Sequence, residues 1–283
     1  MKRLRLYGKV MGLFLARKTV KREDIGNSYD RVSKKYEKTF LQVMHSYNDE
    51  LLEQALQLFE PAQELSILDL ACGTGYNISY LRENCQNCHF DAVDISKGML
   101  EEIPESPDAT CYQSDMLVFL RECDNNKYDM IVCGWAIKYQ KPKEIMKQCF
   151  RVLKKCGVLA VIVNTKQTLP EVRRVYPKLL KENVQRINKL MLELPNPKTE
   201  QQLNLWAQKN SFCTKVSKSL SHIFAFESPI SAVDFVTSTG ALAGFDIMID
   251  LQEREIKKQL VALLEQTNTI THNFVYGIYT KGF

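Results

Sequence analysis

The sequence predicts a doubly wound α/β protein, and three observations carry that prediction. An apolar strand that includes Ile67 and Leu68 ends in Asp69 and runs into a turn built from Ala71, Gly73 and Gly75, followed by a helix-like segment at 77–82. A second strand-like run, 90–95, reaches Asp94, 19 positions after Gly75. Strand and helix patterns then keep alternating to residue 163, the pattern of a parallel sheet covered by helices. The expected sheet has seven strands, mostly parallel with the last antiparallel, an N-terminal helical lid and a helical insertion after strand five.

The first turn identifies the ligand class. Small residues let a ligand approach the backbone, and the helix start offers unpaired N–H groups. In doubly wound sheets this corner binds nucleotides. A dinucleotide site needs Gly-x-Gly-x-x-Gly, but here the third position is Ile78, so a dinucleotide is disfavoured. An acid about 20 positions on, at a strand's end, can accept both ribose hydroxyls, which singles out Asp94. A third strand, 110–113, runs into Ser114-Asp115-Met116. A fourth, 128–133, leads into Gly134-Trp135-Ala136-Ile137-Lys138-Tyr139. Ile145, Met146, Cys149, Phe150 and Leu153 then repeat at helical spacing before a fifth strand, 158–163.

Taken in order, these motifs resemble those of the class I S-adenosylmethionine (SAM) methyltransferases of small-molecule type. Asp69-x-Ala71-x-Gly73-x-Gly75 resembles their motif I, and the resemblance covers 28–164, extending more loosely beyond. It implies SAM as cofactor, cradled by Asp69, Ala71, Gly73 and Gly75, with Asp94 on the ribose. It implies further that Ile95 and Met99 flank the adenine, and that Asp115 meets the adenine amino group beside the Met116 N–H. Cys133, at the end of strand four, joins the implied cofactor contacts. Ser28-Tyr29-Asp30 through Tyr36 resembles the family's Tyr-Asp-x-x-Ala-x-x-Tyr lid, which implies that Tyr29 and Tyr36 contact the methionine part. The family commonly has Leu-Lys-Pro-Gly-Gly before strand five. This chain keeps Leu153, Lys154 and Gly157 but carries Lys155-Cys156 for Pro-Gly, a departure that concerns the turn.

Methyl transfer depends mainly on alignment and requires no fixed catalytic residue, although a hydroxyl or carbon acceptor gains from a general base. Trp135, Lys138 and Tyr139 are the expected substrate contacts. Tyr139, Lys138, His45 and His222 are the candidate catalytic groups. The expected acceptor is a small molecule, acidic or lipophilic, attacked through oxygen or carbon. Two alternatives remain: a binding or scaffold protein that keeps the fold, and an aminopropyltransferase-like enzyme. The second needs acids after strand four to hold a polyamine, where this chain has Lys138 and Lys141.

Bulk properties narrow the setting. Of 283 residues, 45% are hydrophobic and 25% charged, ordinary values for a globular protein. No apolar run reaches the roughly 18 residues of a membrane span. Nine cysteines, an odd number and without a cleavable leader, point to a reducing cytoplasm. Cys85-x-x-Cys88-His89 reads as a surface connection, since a lone Cys-x-x-Cys makes a poor metal site; no metal is expected. The net charge of +5 is uneven: residues 1–22 hold eight basic residues and no acid, leaving 30 basic against 33 acidic elsewhere. No nucleic-acid partner is expected from so acidic a body. The arm, with Leu4, Tyr7, Met11 and Phe14 at helical spacing, reads as a lid, with peripheral contact to an anionic membrane or a targeting role as the alternatives.

The expected organisation is a basic arm and lid over 1–60, a SAM-binding core over 61–164, a helical cap over 165–213, and strands and helices completing the sheet over 214–283. Within the cap, Leu180, Val184, Ile187, Met191 and Leu194 predict one amphipathic helix ended by Pro195. A strand over 214–226, helices over 230–239 and 253–266, and a last strand over 273–280 follow.

Overall fold

The structure, a computed structural model, describes residues 2–31, 33, 41–265 and 267–282. Among the described residues three helices come first: α1 (Lys2–Leu15), α2 (Arg22–Asp30) and α3 (Leu41–Leu56). Then β1 (Leu65–Leu70), α4 (Tyr76–Asn84), β2 (Cys88–Asp94), the short α5 (Lys97–Leu100), β3 (Ala109–Gln113) and α6 (Met116–Glu122) alternate. After β4 (Tyr128–Gly134) and a 3-10 turn, Ile137–Tyr139, come α7 (Pro142–Val152) and β5 (Leu153–Asn164). The chain continues through α8 (Pro170–Glu182), a second 3-10 turn, Val184–Arg186, α9 (Glu200–Gln208) and β6 (Phe212–Ala225). It closes with α10 (Pro229–Ser238), α11 (Phe245–Met248), α12 (Arg254–Leu263) and β7 (Thr269–Lys281).

All seven strands form one sheet in the order β3-β2-β1-β4-β5-β7-β6, with β7 antiparallel to β5. The order reverses between β1 and β4, whose register pairs Asp69 with Val132. In such sheets the crevice beyond the strand ends at this switch is where ligands bind. β1, β4 and β5 are buried almost throughout, because a sheet covered on both faces needs continuous apolar strands. On one face, Leu68, Ile131 and Val161 pack with Leu120, Ile145, Met146, Cys149 and Trp206 of α6, α7 and α9. Helix α3 packs against β5 and α4.

The chain divides into two compact units that interleave along the sequence. One comprises Leu41–Gln167, Leu194–Leu220 and Asn273–Phe283; the other comprises Met1–Phe40, Thr168–Glu193 and Ser221–His272. This division cuts across the four chain-order blocks expected from sequence. In the second unit, Asp24 pairs with Lys189, Arg31 with Asp246, and Tyr176 donates to the Phe245 carbonyl.

Three local expectations need correction. The helix expected over 180–194 stops at Glu182, where the Asn183 side chain donates to the Leu179 carbonyl. Leu180, Val184 and Ile187 are buried nonetheless, so their periodicity reports burial across a 3-10 turn and a loop, not a helix. Two helices, α8 and α9, flank that loop instead. The turn expected at 154–157 lies inside β5, where the pairing shifts register between Tyr128 and Met130. Cys156 there has φ 60°, the left-handed conformation that the family's glycine suits. Finally, Cys85 and Cys88, expected as thiols in a surface connection, are joined in a disulfide with Cα atoms 6.3 Å apart. The turn entering β2 brings them within bridging distance.

Candidate functional site

The first unit gathers most of the residues singled out from sequence at the carboxyl ends of β1 to β4. Leaving β1, the chain takes three left-handed residues: Ala71 (φ 58°), Gly73 (φ 56°) and Gly75 (φ 84°). Gly75 precedes α4 directly, and a Cβ there would come within 3.0 Å of Ile103. A Cβ on Gly73 would meet no atom within 4 Å, so this stretch of backbone is open to close approach. The non-glycine Ala71 carries a strain of about 1–2 kcal/mol in that conformation, held by the surrounding turn.

Asp94 closes the loop from the neighbouring strand. Its Oδ2 accepts the Gly73 N–H at 3.0 Å and its Oδ1 accepts the Ser96 N–H at 2.8 Å. These two backbone contacts fix its orientation. Ser96 caps α5 by accepting the Met99 N–H at 3.1 Å. Met99 is buried and Ile95 is half-buried. Asp115 caps α6, its Oδ1 accepting from the Leu117 and Val118 N–H groups at 2.9 and 3.2 Å. Its Oδ2 accepts from Gln140, and Met116 is buried beside it.

Asp69 is different: it reaches no surface. Fully buried, its carboxylate accepts from Asn77 Nδ2, 3.3 Å from each oxygen. Burial pushes its carboxyl up to about 7, opposed by the Asn77 hydrogen bond and reinforced by the Asp94 charge. Asn77 Oδ1 accepts from Asn48 at 2.9 Å, and Asn48 Oδ1 accepts the Trp135 indole N–H at 2.9 Å. Three side chains thus link the motif I acid to the loop after β4. Gly134, whose Cβ would stand 3.4 Å from Asn77 Nδ2, gives this chain room.

Trp135 itself sits at φ 60°, with its N–H on the Ile162 carbonyl at 2.7 Å and its ring edge-on to Phe274 at 5.2 Å. Lys138 is buried, donates from Nζ to the Trp135 carbonyl at 2.6 Å, and lies 4.8 Å from the centre of the Tyr139 ring. Burial draws its ammonium down to about 8. Cys133 is wholly buried within the apolar layer under α6, α7 and α9, and burial pushes its thiol up to about 12. His45, on α3, stacks on Tyr76 at 3.4 Å, and Tyr76 donates to Asp49 at 2.7 Å. Burial lowers the His45 imidazole to about 4, so it is neutral at pH 7.

Asp69, Ala71, Gly73, Gly75, Asp94, Ile95, Met99, Asp115, Met116, Cys133, Trp135, Lys138, Tyr139 and His45 all belong to the first unit. Tyr29 and His222 belong to the second, where the Tyr29 ring packs on Gly240 and His222 packs against Phe224 at 4.4 Å. Tyr36 lies outside the described residues. Sequence reasoning missed Asn48, Asn77 and Gln140. A signal existed for Asn48: it falls on the stripe of Met44, Leu51, Leu52 and Ala55, and a polar residue on a buried apolar stripe demands a partner. Among the described residues no cluster of acids, histidines and cysteines suits a metal, and no helix is long and apolar enough to cross a membrane.

Comparison with known proteins points the same way. Residues 67–157 match a family model described as a methyltransferase domain. The malonyl-[acyl-carrier protein] O-methyltransferase of Haemophilus influenzae is 27% identical over 153 residues, 53% of this chain and 54% of that protein. The thiol S-methyltransferase TMT1B of Rattus norvegicus is 25% identical over 121 residues, 41% of this chain and 49% of that protein. The chain spans about half the length of these curated relatives. Among solved structures, the YcgJ protein of Bacillus subtilis superposes with TM-score 0.54 at 13% identity, covering 83% of this chain and 99% of that one. Geranyl diphosphate C-methyltransferase from Streptomyces coelicolor, solved with Mg2+, geranyl diphosphate and S-adenosyl-L-homocysteine, gives 0.51 at 12%, covering 85% and 80%. At such identities the likeness is one of fold.

Proposed function

We propose, from the premise that the chain carries a methyltransferase domain on the class I seven-strand sheet, that it transfers the methyl group of SAM to a small-molecule acceptor at oxygen or carbon. The observation that carries this reading is Asp94, a carboxylate held by the Gly73 and Ser96 N–H groups beside an open glycine backbone. A carboxylate so fixed suits a ribose, whose hydroxyls donate to it. Asp115, braced by its cap and by Gln140, suits the adenine edge. When bound, SAM supplies a methyl group on a positively charged sulfur, already activated for in-line displacement.

The chain's own residues then align and desolvate. The Asp69–Asn77–Asn48–Trp135 series fixes the loop after β4, so that Trp135 and Tyr139 wall the acceptor side. Asp69 acts through Asn77 as a positioning residue. Lys138, with three donors of which one points at the Trp135 carbonyl, favours an acidic acceptor. Relatives named for O-methylation of malonyl-[acyl-carrier protein] support an acid of that kind. His45, on α3, is neutral at pH 7 and can accept a proton from a hydroxyl acceptor, although burial, by drawing it down to about 4, makes it a weaker base than an ordinary imidazole.

The test is incubation with methyl-labelled SAM and a metabolite extract, followed by separation of small molecules. Label should enter an extractable product with the parent chain and not with Asp94→Ala. SAM binding without label transfer to any acceptor would replace the enzyme by a scaffold that keeps the fold.

A further inference from the structure

Helix α1 carries two apolar stripes, and only one of them is used. Leu6, Val10 and Leu13 form the first; Leu13 is buried, the other two are half-buried, and the helix packs on α8 and the 3-10 turn at 184–186. The second stripe is Leu4, Tyr7, Met11 and Phe14, with Leu15 beside it. These five side chains are between 58 and 77% exposed. They make up five of the eleven large apolar side chains exposed among the described residues. At 100° per residue, positions 4, 7, 11 and 14 fall within one face of the helix. Gly8 and Gly12 flank that face, and a Cβ on either would meet no atom within 4 Å, so the flank is open as well.

The charges around the stripe select its partner. Residues 1–22 hold eight cations and no acid. Lys2 is tied to Glu182, and the Arg3 guanidinium lies 5.7 Å from the centre of the Tyr7 ring. Arg5 and Lys9 stand on the helix surface between the two stripes. An exposed apolar face edged by cations, with an aromatic ring near its polar border, matches the boundary between lipid headgroups and acyl chains. Pairing with a second copy would bring two such cationic arms together, which their repulsion opposes.

We propose that α1 is an interfacial helix that seats this protein on an anionic phospholipid surface, with Leu4, Tyr7, Met11, Phe14 and Leu15 entering the headgroup layer. This is independent of the methyl-transfer reading, since nothing in it depends on the first unit. Each cation brought near such a surface strengthens binding about fivefold, and the apolar stripe converts that attraction into insertion.

The experiment is co-sedimentation of the full chain with vesicles of phosphatidylcholine and with vesicles of an equimolar phosphatidylcholine–phosphatidylglycerol mixture. Binding should be at least about tenfold stronger on the anionic vesicles, and weaken as salt rises from about 0.1 to about 1 M, where the screening length falls from about 10 to about 3 Å. The double variant Met11→Asp/Phe14→Asp should lose most of the binding yet keep the parent's thermal midpoint, because both side chains are exposed. Arg5→Glu/Lys9→Glu should lose the preference for anionic lipid. Equal binding to both vesicle types, no binding, or unchanged binding by the double variant would overturn the proposal. So would a dimer of the 32.7 kDa chain in lipid-free solution that the Met11→Asp/Phe14→Asp variant dissolves, since the stripe would then join two copies.

Discussion

Replacing Asp69 by Asn separates the charge of that side chain from its shape. Its carboxylate is fully buried on β1, with Asn77 donating to it and Asp94 close enough for repulsion to count. Burial, the dominant cause, moves the carboxyl from 3.8 to about 7, equivalent to about 4 kcal/mol in favour of the neutral acid when the chain is folded. Because the folded value lies above the unfolded one, the folded chain holds this proton longer. The associated stability is complete below about pH 3.8 and is lost as the pH climbs through about 7. An amide of the same shape has no such titration and can still accept from Asn77. Asp69→Asn should therefore match the parent near pH 4 and exceed it above pH 7 by a few kcal/mol, with about 4 as the ceiling. Urea unfolding followed by circular dichroism at stepped pH measures this directly, provided the m-values of the two chains agree. A variant equal to or weaker than the parent at pH 8 would refute the reasoning, since it would show that the ionised carboxylate is compensated inside the fold.

Three further expectations concern neighbouring residues. Asn48→Ala strands the buried Asn77 Oδ1 and the part-buried Trp135 indole N–H, and should cost about 2–3 kcal/mol with an altered near-ultraviolet tryptophan signal; an unchanged unfolding midpoint would deny the linkage. Cys156→Gly relieves a left-handed φ at an exposed bulge and should raise stability by about 1 kcal/mol, measured as a higher urea midpoint; destabilisation would show that the thiol makes contacts worth more than the strain. Lys138 sits at about 8 instead of 10.5, so the folded chain sheds this proton first and the parent should gain stability as pH rises from about 8 to 10.5. Lys138→Met should flatten that rise in pH-stepped unfolding and weaken turnover of an acidic acceptor, seen as raised KM; an unaltered pH profile would place the amine in water.

The sheet was legible because parallel strands buried on both faces must be continuous apolar runs. β1, β4 and β5 each carry one, and glycine and acid signals mark where β1 and β2 end. The placement of the candidate site was legible where position at a strand end decides it, as for Gly73, Gly75 and Asp94. It was not legible where the candidate site is held by contacts between distant segments. Asn48 and Asn77 are 29 positions apart, and Gln140 reaches Asp115 across 25; neither separation leaves a periodic trace. The cap misled for a related reason. Leu180, Val184 and Ile187 obey helical spacing because they are buried from one side, while Asn183 diverts the backbone that would have joined them. Cys156 shows the converse: its departure from the family pattern looked neutral in sequence and proves to occupy a position that demands glycine-like backbone.

The most direct test of the central claim is calorimetric titration of the parent chain and of Asp94→Ala with SAM and S-adenosylhomocysteine, with NADH as control. The account predicts saturable binding of both sulfur ligands by the parent, none of NADH, and loss of both by an Asp94→Ala chain whose thermal unfolding remains cooperative. A folded Asp94→Ala chain that binds SAM as tightly as its parent, or a parent that binds neither sulfur ligand, would contradict it.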